Sequence, residues 1–279
     1  MKECYLNGDY VDLADAKVSV LDRGFIFGEG IYEVIGVHSR KPFALSLHLE
    51  RLDLNLSEMG LSNPLSSEAW SSLISNLISR NGCVFGTIYI QITRGKAPRN
   101  HEFPKASCPT VFVMISESAA KTELEKVIAI TAEDERWRGC HIKTTSLFAN
   151  TRLRNLATSK GAAEAILQYD GYLTEGASSS VFIVSNDGVI YTSPLDSNIL
   201  PGITREVVIR LSASMGVPVI QEKIAISRLR TANEIWLTNT SSGIRCVSRL
   251  DEGMVGDGQH YELAQLFHKQ LSIEKGITP

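Results

Sequence analysis

Long hydrophobic runs are missing from this chain of 279 residues. Its longest apolar stretches are strand-sized, far short of the ~18 residues of a bilayer span, which excludes a transmembrane helix. The first twenty residues carry Lys2, Glu3, Asp9, Asp12 and Asp15 and no continuous apolar segment, so no signal peptide is expected. Cysteine is scarce too. Cys4, Cys83, Cys108, Cys140 and Cys246 are odd in number, far apart and never in a CxxC pair. That argues against a disulfide framework and a zinc site, and for a reducing, cytoplasmic setting. Charge of one sign is also absent: the net charge is −3, with both signs scattered along the chain. No basic block points to nucleic acid, and no polybasic helix to a membrane surface. The chain has no GxxxxGK[ST] phosphate loop, and its "FGEG" stretch lacks the third glycine of a dinucleotide fingerprint. No internal repeat or low-complexity segment occurs.

What is present reads as a soluble globular protein, 43% hydrophobic and 21% charged, long enough for one large or two moderate domains. "CYLNGDYV" carries Asn7-Gly8 between two short apolar runs, a hairpin signal, and "IYEVIGVHSRKPFAL" reads as a second strand pair. Leu45, Leu49, Leu52, Leu56 and Met59 step by four and three into an amphipathic helix stopped by Gly60. Trp70, Leu73, Ile74, Leu77 and Ile78 repeat that pattern up to Asn81-Gly82. "GTIYIQIT", "PTVFVMI" and "KVIAITA" are β-branched strands. Two hairpin-like segments turn at Asp170-Gly171 and at Asn186-Asp187-Gly188. Helices follow over "GITREVVIRLSASMG" and over the final stretch with Leu263, Leu266, Phe267 and Leu271. Apolar periodicity lapses around "SESAAKTEL", so the expected division is an N-terminal α+β domain over 1–118, a linker at 119–123 and a C-terminal domain over 124–279.

Several residues could carry chemistry, although each alone has an ordinary structural explanation. Lys143 lies between a short apolar run and a helix, away from any charged patch. Gly202-Ile203-Thr204 opens a helix, whose free N–H groups and positive dipole end suit a phosphate, or are merely capped. "LTNTSSG", with Asn239 and Thr240, offers several donors after a strand, or forms an Asx or Ser/Thr turn. Glu175 ends a strand ahead of a glycine and three serines. Arg99 and His101, two apart in a loop, can point to the same side and clamp an anion. Arg51 would ordinarily be a solvated helix residue, and Tyr32 strand packing.

Their joint occurrence resembles a known family. "DRGFIFGEGIYEV", "HLERL", "ITRGKAPRNHEFP", "RWRGCHIKTTSL", "YLTEGASSSVFIV", "ILPGITREVV" and "WLTNTSSG", in that order, resemble the fold-type IV pyridoxal 5'-phosphate (PLP) enzymes, the class IV aminotransferases. Within them the chain is most similar to the D-amino acid aminotransferases. The resemblance implies a two-domain α+β fold, with a small N-terminal domain and a larger C-terminal pseudo-barrel, working as a homodimer on amino acids and 2-oxo acids. It implies that Lys143 forms the Schiff base with PLP and that Glu175 bonds the pyridine nitrogen. Arg51, Ile203, Thr204, Asn239 and Thr240 would grip the phosphate. Tyr32, Arg99 and His101 would hold the substrate carboxylate, the loop bearing the last two reaching in from the neighbouring subunit. Two positions depart from the family pattern: Ser180 stands where asparagine is frequent, and Asn239 where serine is common. 4-Amino-4-deoxychorismate lyase and branched-chain L-amino acid aminotransferase share the fold and remain open, with the Arg-x-His pair favouring the D-specific transaminase.

Overall fold

The computed structural model describes residues 2–106 and 108–277. It contains two compact units, each of mixed α and β structure. One gathers the chain up to Ala120 together with a short excursion, Ile142–Ser146; the other takes Lys121–His141 and the chain from Leu147 onward. A contiguous division near residues 119–123 has no place for that excursion, because nothing in its local pattern marks it.

The first unit is built on β1 (Glu3–Leu6), β2 (Asp9–Asp12), α1 (Arg23–Phe27), β3 (Gly30–His38), β4 (Lys41–Pro42), α2 (Leu45–Glu58), α3 (Ser67–Asn81), β5 (Gly86–Thr93) and β6 (Thr110–Glu117). Its six strands form an antiparallel sheet in the order β2-β1-β6-β5-β3-β4. The β1–β2 turn is the expected one: Asn7 and Gly8 both have positive φ, at 52° and 113°, as a two-residue hairpin loop demands. In β5, Ile88, Ile90 and Ile92 alternate onto the face that meets Leu52 and Leu56 of α2 and Leu77 of α3. Ser66 caps α3 through the Ala69 N–H at 3.2 Å, and Gly82 ends it at φ 63°. On the opposite face of the sheet Tyr32 stacks on Tyr89, ring centres 5.7 Å apart.

The second unit comprises β7 (Glu125–Glu133), α4 (Phe148–Ser159), β8 (Glu164–Tyr169), β9 (Tyr172–Gly176), β10 (Ser180–Val184), β11 (Ile190–Thr192), α5 (Ile203–Met215), β12 (Val219–Gln221), α6 (Ile226–Arg230), β13 (Glu234–Asn239), β14 (Gly243–Leu250), β15 (Gly253–Met254) and α7 (Glu262–Glu274). The sheet order is β12-β11-β10-β13-β14-β7-β8-β9, with β15 on β14. It is mixed: β7 runs parallel to β8 and β14, and β11 parallel to β12. Four strands separate β9 from β10 in that order, yet a tight turn joins them, with Gly176 N–H donating to Ser179 O at 2.7 Å. The sheet therefore curls into a half-barrel. Buried Glu234 bonds the Leu263 and Ala264 N–H groups and so caps α7 from β13.

Five elements escape sequence reading: α1, α6, β12, β14 and β15. Helices of five residues are too short for a repeating face, and β14 (GIRCVSRL) is broken by two arginines, one of which is buried.

One glycine fixes the exit from β5. Gly95 has φ +84°, and a Cβ there would lie 1.9 Å from the Cys108 carbonyl oxygen. Gly95→Ala should therefore lower the unfolding free energy by about 1–3 kcal/mol. Urea unfolding checks this, and a midpoint equal to wild type would show that the loop after β5 rearranges freely.

Candidate functional site

The lysine is placed by backbone pairing. Ile142–Ser146 lies antiparallel to the start of β3: Thr144 bridges Ile31, the Tyr32 N–H donates to Lys143 O at 3.0 Å, and the Thr145 N–H to Gly30 O at 2.9 Å. Gly30 is required for this approach, since a Cβ would sit 2.9 Å from Thr145 Oγ1 and 3.3 Å from Ile92 O. The glycine of "FGEG" thus admits a strand, not a phosphate. Half-buried Lys143 places Nζ 4.1 Å from the centre of the Tyr32 ring. Of the expected site residues, these two are brought together.

Arg51 is not a solvated helix residue. It is buried, and its Nε and Nη2 donate to the two oxygens of Glu33 at 2.7 and 2.8 Å. Glu33 is fully buried on the core side of β3, and His48 Nδ1 meets its Oε2 at 2.8 Å. Burial pushes the Glu33 carboxyl up, but the Arg51 charge and the bonds from His48 and Arg51 outweigh it and hold it at about 2. Burial lowers His48, outweighing its bond to Glu33. Glu33 and His48 escape sequence reading because nothing local marks a carboxylate inside an apolar strand.

Arg99 and His101 are exposed and meet on one ring: the Arg99 guanidinium carbon lies 5.4 Å, and the His101 ring 5.6 Å, from the centre of Phe27.

In the second unit Glu175 is buried at the end of β9. Its Oε1 accepts from Arg136 Nη1 at 2.5 Å, and Arg136 is held in turn by Asp134 through Nε at 2.9 Å and Nη2 at 2.8 Å. Thr174 Oγ1 donates to Asp134 Oδ2 at 2.7 Å. Among the described residues Glu175 Oε2, by contrast, accepts only the long Leu200 N–H bond, at 3.3 Å and shared with Oε1. Burial raises the Glu175 carboxyl to about 7, the Arg136 charge and bond opposing it. Arg136, the partner of Glu175, escapes sequence reading. The signal was a cationic "RWRG" two residues past Asp134, which gains meaning only once β9 lies beside it.

The two donor loops differ. α5 starts at Gly202 with no side-chain cap, and Ile203 and Thr204 of its first turn are buried. Its first turn therefore presents the positive dipole end that suits an anion. Asn239 instead serves its own turn: its Oδ1 accepts the Ser242 N–H at 2.8 Å, and its Nδ2 donates to Ser178 O at 3.4 Å. Thr240, next in the chain, is half-buried.

Comparison with known proteins matches residues 30–250 to the family described as amino-transferase class IV. The chain is 40% identical over 262 residues to a D-alanine aminotransferase of Staphylococcus epidermidis, covering 93% of each. Among solved structures it is similar to the Escherichia coli branched-chain amino acid aminotransferase (TM-score 0.91, 23% identity, 100% of this chain and 96% of that one). It is also similar to the branched-chain aminotransferase of the thermophilic archaeon Thermoproteus uzoniensis with norvaline (TM-score 0.89, 26% identity, 98% and 95%). The fold is that of the fold-type IV enzymes.

The Glu33 pair sets a pH limit on stability. Its carboxyl lies at about 2 in the fold against 4.5 unperturbed. The folded value is depressed, so the stabilisation is complete above pH 4.5 and is lost as pH falls towards 2, about 3 kcal/mol in all. Glu33→Gln should cost about 3–5 kcal/mol at pH 7, because it strips buried Arg51 of its carboxylate. The gap to wild type should narrow at pH 3 in urea unfolding; a constant gap would place the pair outside the acid transition.

Proposed function

The chain belongs to the class IV aminotransferases, and we propose that it transaminates D-amino acids such as D-alanine with a 2-oxo acid such as 2-oxoglutarate, using pyridoxal 5'-phosphate. The observation that carries the D-specific reading is the Arg99–His101 pair gathered on Phe27, in a chain 40% identical to a D-alanine aminotransferase.

The residues fit the cofactor. Lys143 offers an amine with no ion pair among the described residues, resting on an aromatic face. Glu175 offers a buried acid whose Oε2 still has acceptor capacity, suited to a ring nitrogen. The uncapped start of α5, with Ile203 and Thr204, suits the phosphate, with Thr240 adding a hydroxyl. Asn239 shapes its loop in this reading. Arg51 brings a charge already balanced by Glu33, so the helix start carries a larger share of the phosphate than an unpaired arginine would leave it.

When bound, pyridoxal phosphate supplies the electron sink that makes the amino acid's Cα–H acidic. Lys143 Nζ would hold the cofactor, and as a free amine would move the proton at Cα. Glu175 holds the proton at the ring nitrogen. Arg136 opposes the pull of burial on Glu175 and so favours its ionised form, and Asp134 keeps Arg136 in place. Arg99 and His101, with Tyr32, tie down the α-carboxylate and so decide which face of Cα meets the lysine. The reading includes a homodimer in which that loop serves the neighbouring site, and a cytoplasmic location. Among the described residues no helix is long and apolar enough to cross a membrane.

A coupled assay tests the reading. The protein should be yellow and should use D-alanine with 2-oxoglutarate in preference to L-alanine, without releasing pyruvate from aminodeoxychorismate. Lys143→Ala should lose both the colour and turnover. A preference for L-substrates, or lyase activity alone, would overturn it. Arg136→Met tests the tuning: Glu175 should rise further above about 7, so the acid limb of kcat should move to higher pH. A limb at the wild-type pH would detach Arg136 from the chemistry.

A further inference from the structure

Arg99 and His101 lie in a loop without regular structure, so their side chains need support from elsewhere. Three consecutive residues of that loop lean on the short helix α1. The Arg99 guanidinium carbon and the His101 ring lie 5.4 and 5.6 Å from the centre of the Phe27 ring. The carbonyl of Asn100, between them, accepts a 2.6 Å bond from Arg23 Nη1. Arg23 is buried, and its Nε and Nη2 bond Glu29 at 2.8 and 2.6 Å. Arg94, at the head of the loop, bonds the same carboxylate at 2.9 Å and covers the Phe103 ring at 3.7 Å. The Arg23 guanidinium carbon also lies 4.6 Å from the Phe27 ring centre.

We infer that Phe27 is a positioning residue for the substrate carboxylate: its ring orients Arg99 and His101, while the Arg23–Glu29 pair sets the backbone between them. The inference rests on the reading of Arg99 and His101 as the carboxylate clamp. An exposed arginine samples many rotamers, and each one that points its donors away weakens the clamp. A ring face attracts the guanidinium and narrows that choice without consuming a donor. Two guanidinium groups, Arg23 and Arg94, share one carboxylate, Glu29, and with Arg99 beside them on the Phe27 ring they leave local positive charge to draw an anionic substrate.

The test uses the holoenzyme. Phe27→Leu keeps an apolar side chain and removes the ring face, and Phe27→Met is a second non-aromatic variant should the first fail to fold. The KM for D-alanine should rise about tenfold while kcat changes less than about threefold, with the cofactor's visible absorption as in wild type. Phe27→Tyr restores the face and should restore KM. In an Arg99→Ala background Phe27→Leu should add little, because its effect passes through Arg99. Additive losses, or no recovery in Phe27→Tyr, would overturn the inference. A wild-type KM in Phe27→Leu alongside a raised KM in Arg99→Ala would overturn the inference alone. A wild-type KM in Arg99→Ala would overturn the clamp reading beneath it.

Discussion

Ile142–Ser146, set antiparallel against the first residues of β3, is the constraint on which the rest of the structure depends. Five residues of chain leave the second unit's sequence and pair with the first unit's sheet. The lysine is thereby held by backbone bonds on either side, with a long bond from its own N–H to Asn55 Oδ1 at 3.4 Å, and its amine is placed over Tyr32. A lysine is long and flexible, and a nucleophilic amine must also stay free of carboxylates. Fixing the backbone and offering only a ring face meets both demands. It also explains the small residue at Gly30, where any Cβ would collide with the incoming strand.

The same economy governs the carboxylates. Glu33 and Glu175 are both buried, yet they end up at opposite extremes. Glu33 meets a two-pronged arginine and a histidine, and is held at about 2. Glu175 meets one prong of an arginine whose other prongs serve Asp134, and rises to about 7. Desolvation acts upward on both; the number of donors decides the outcome. The first is a structural anion. The second changes charge near neutral pH, and in the proposed function it is the acid that meets the cofactor's ring nitrogen.

Much of this was legible in the sequence. The helices α2, α3, α5 and α7 follow from their apolar spacing and glycine stops, and the β1–β2 hairpin from Asn-Gly. The family and the chemical candidates Lys143, Glu175, Arg99 and His101 follow from ordered motifs, because motifs record residue types that chemistry cannot exchange. These are local patterns, and a chain displays them before it folds.

Tertiary structure decided the partners. That Lys143 faces Tyr32, that Arg51 answers Glu33, that Arg136 steadies Glu175, and that Phe27 gathers Arg99 and His101 all join residues from 18 to more than 100 positions apart. Asn239 was open to two readings, and the fold turned its side chain to its own loop. Periodicity reports which face of an element is apolar, but not which element covers it. A buried charge is stabilised by partners that only the closed sheet brings within reach, and so its identity as anchor or as chemistry is a property of the fold.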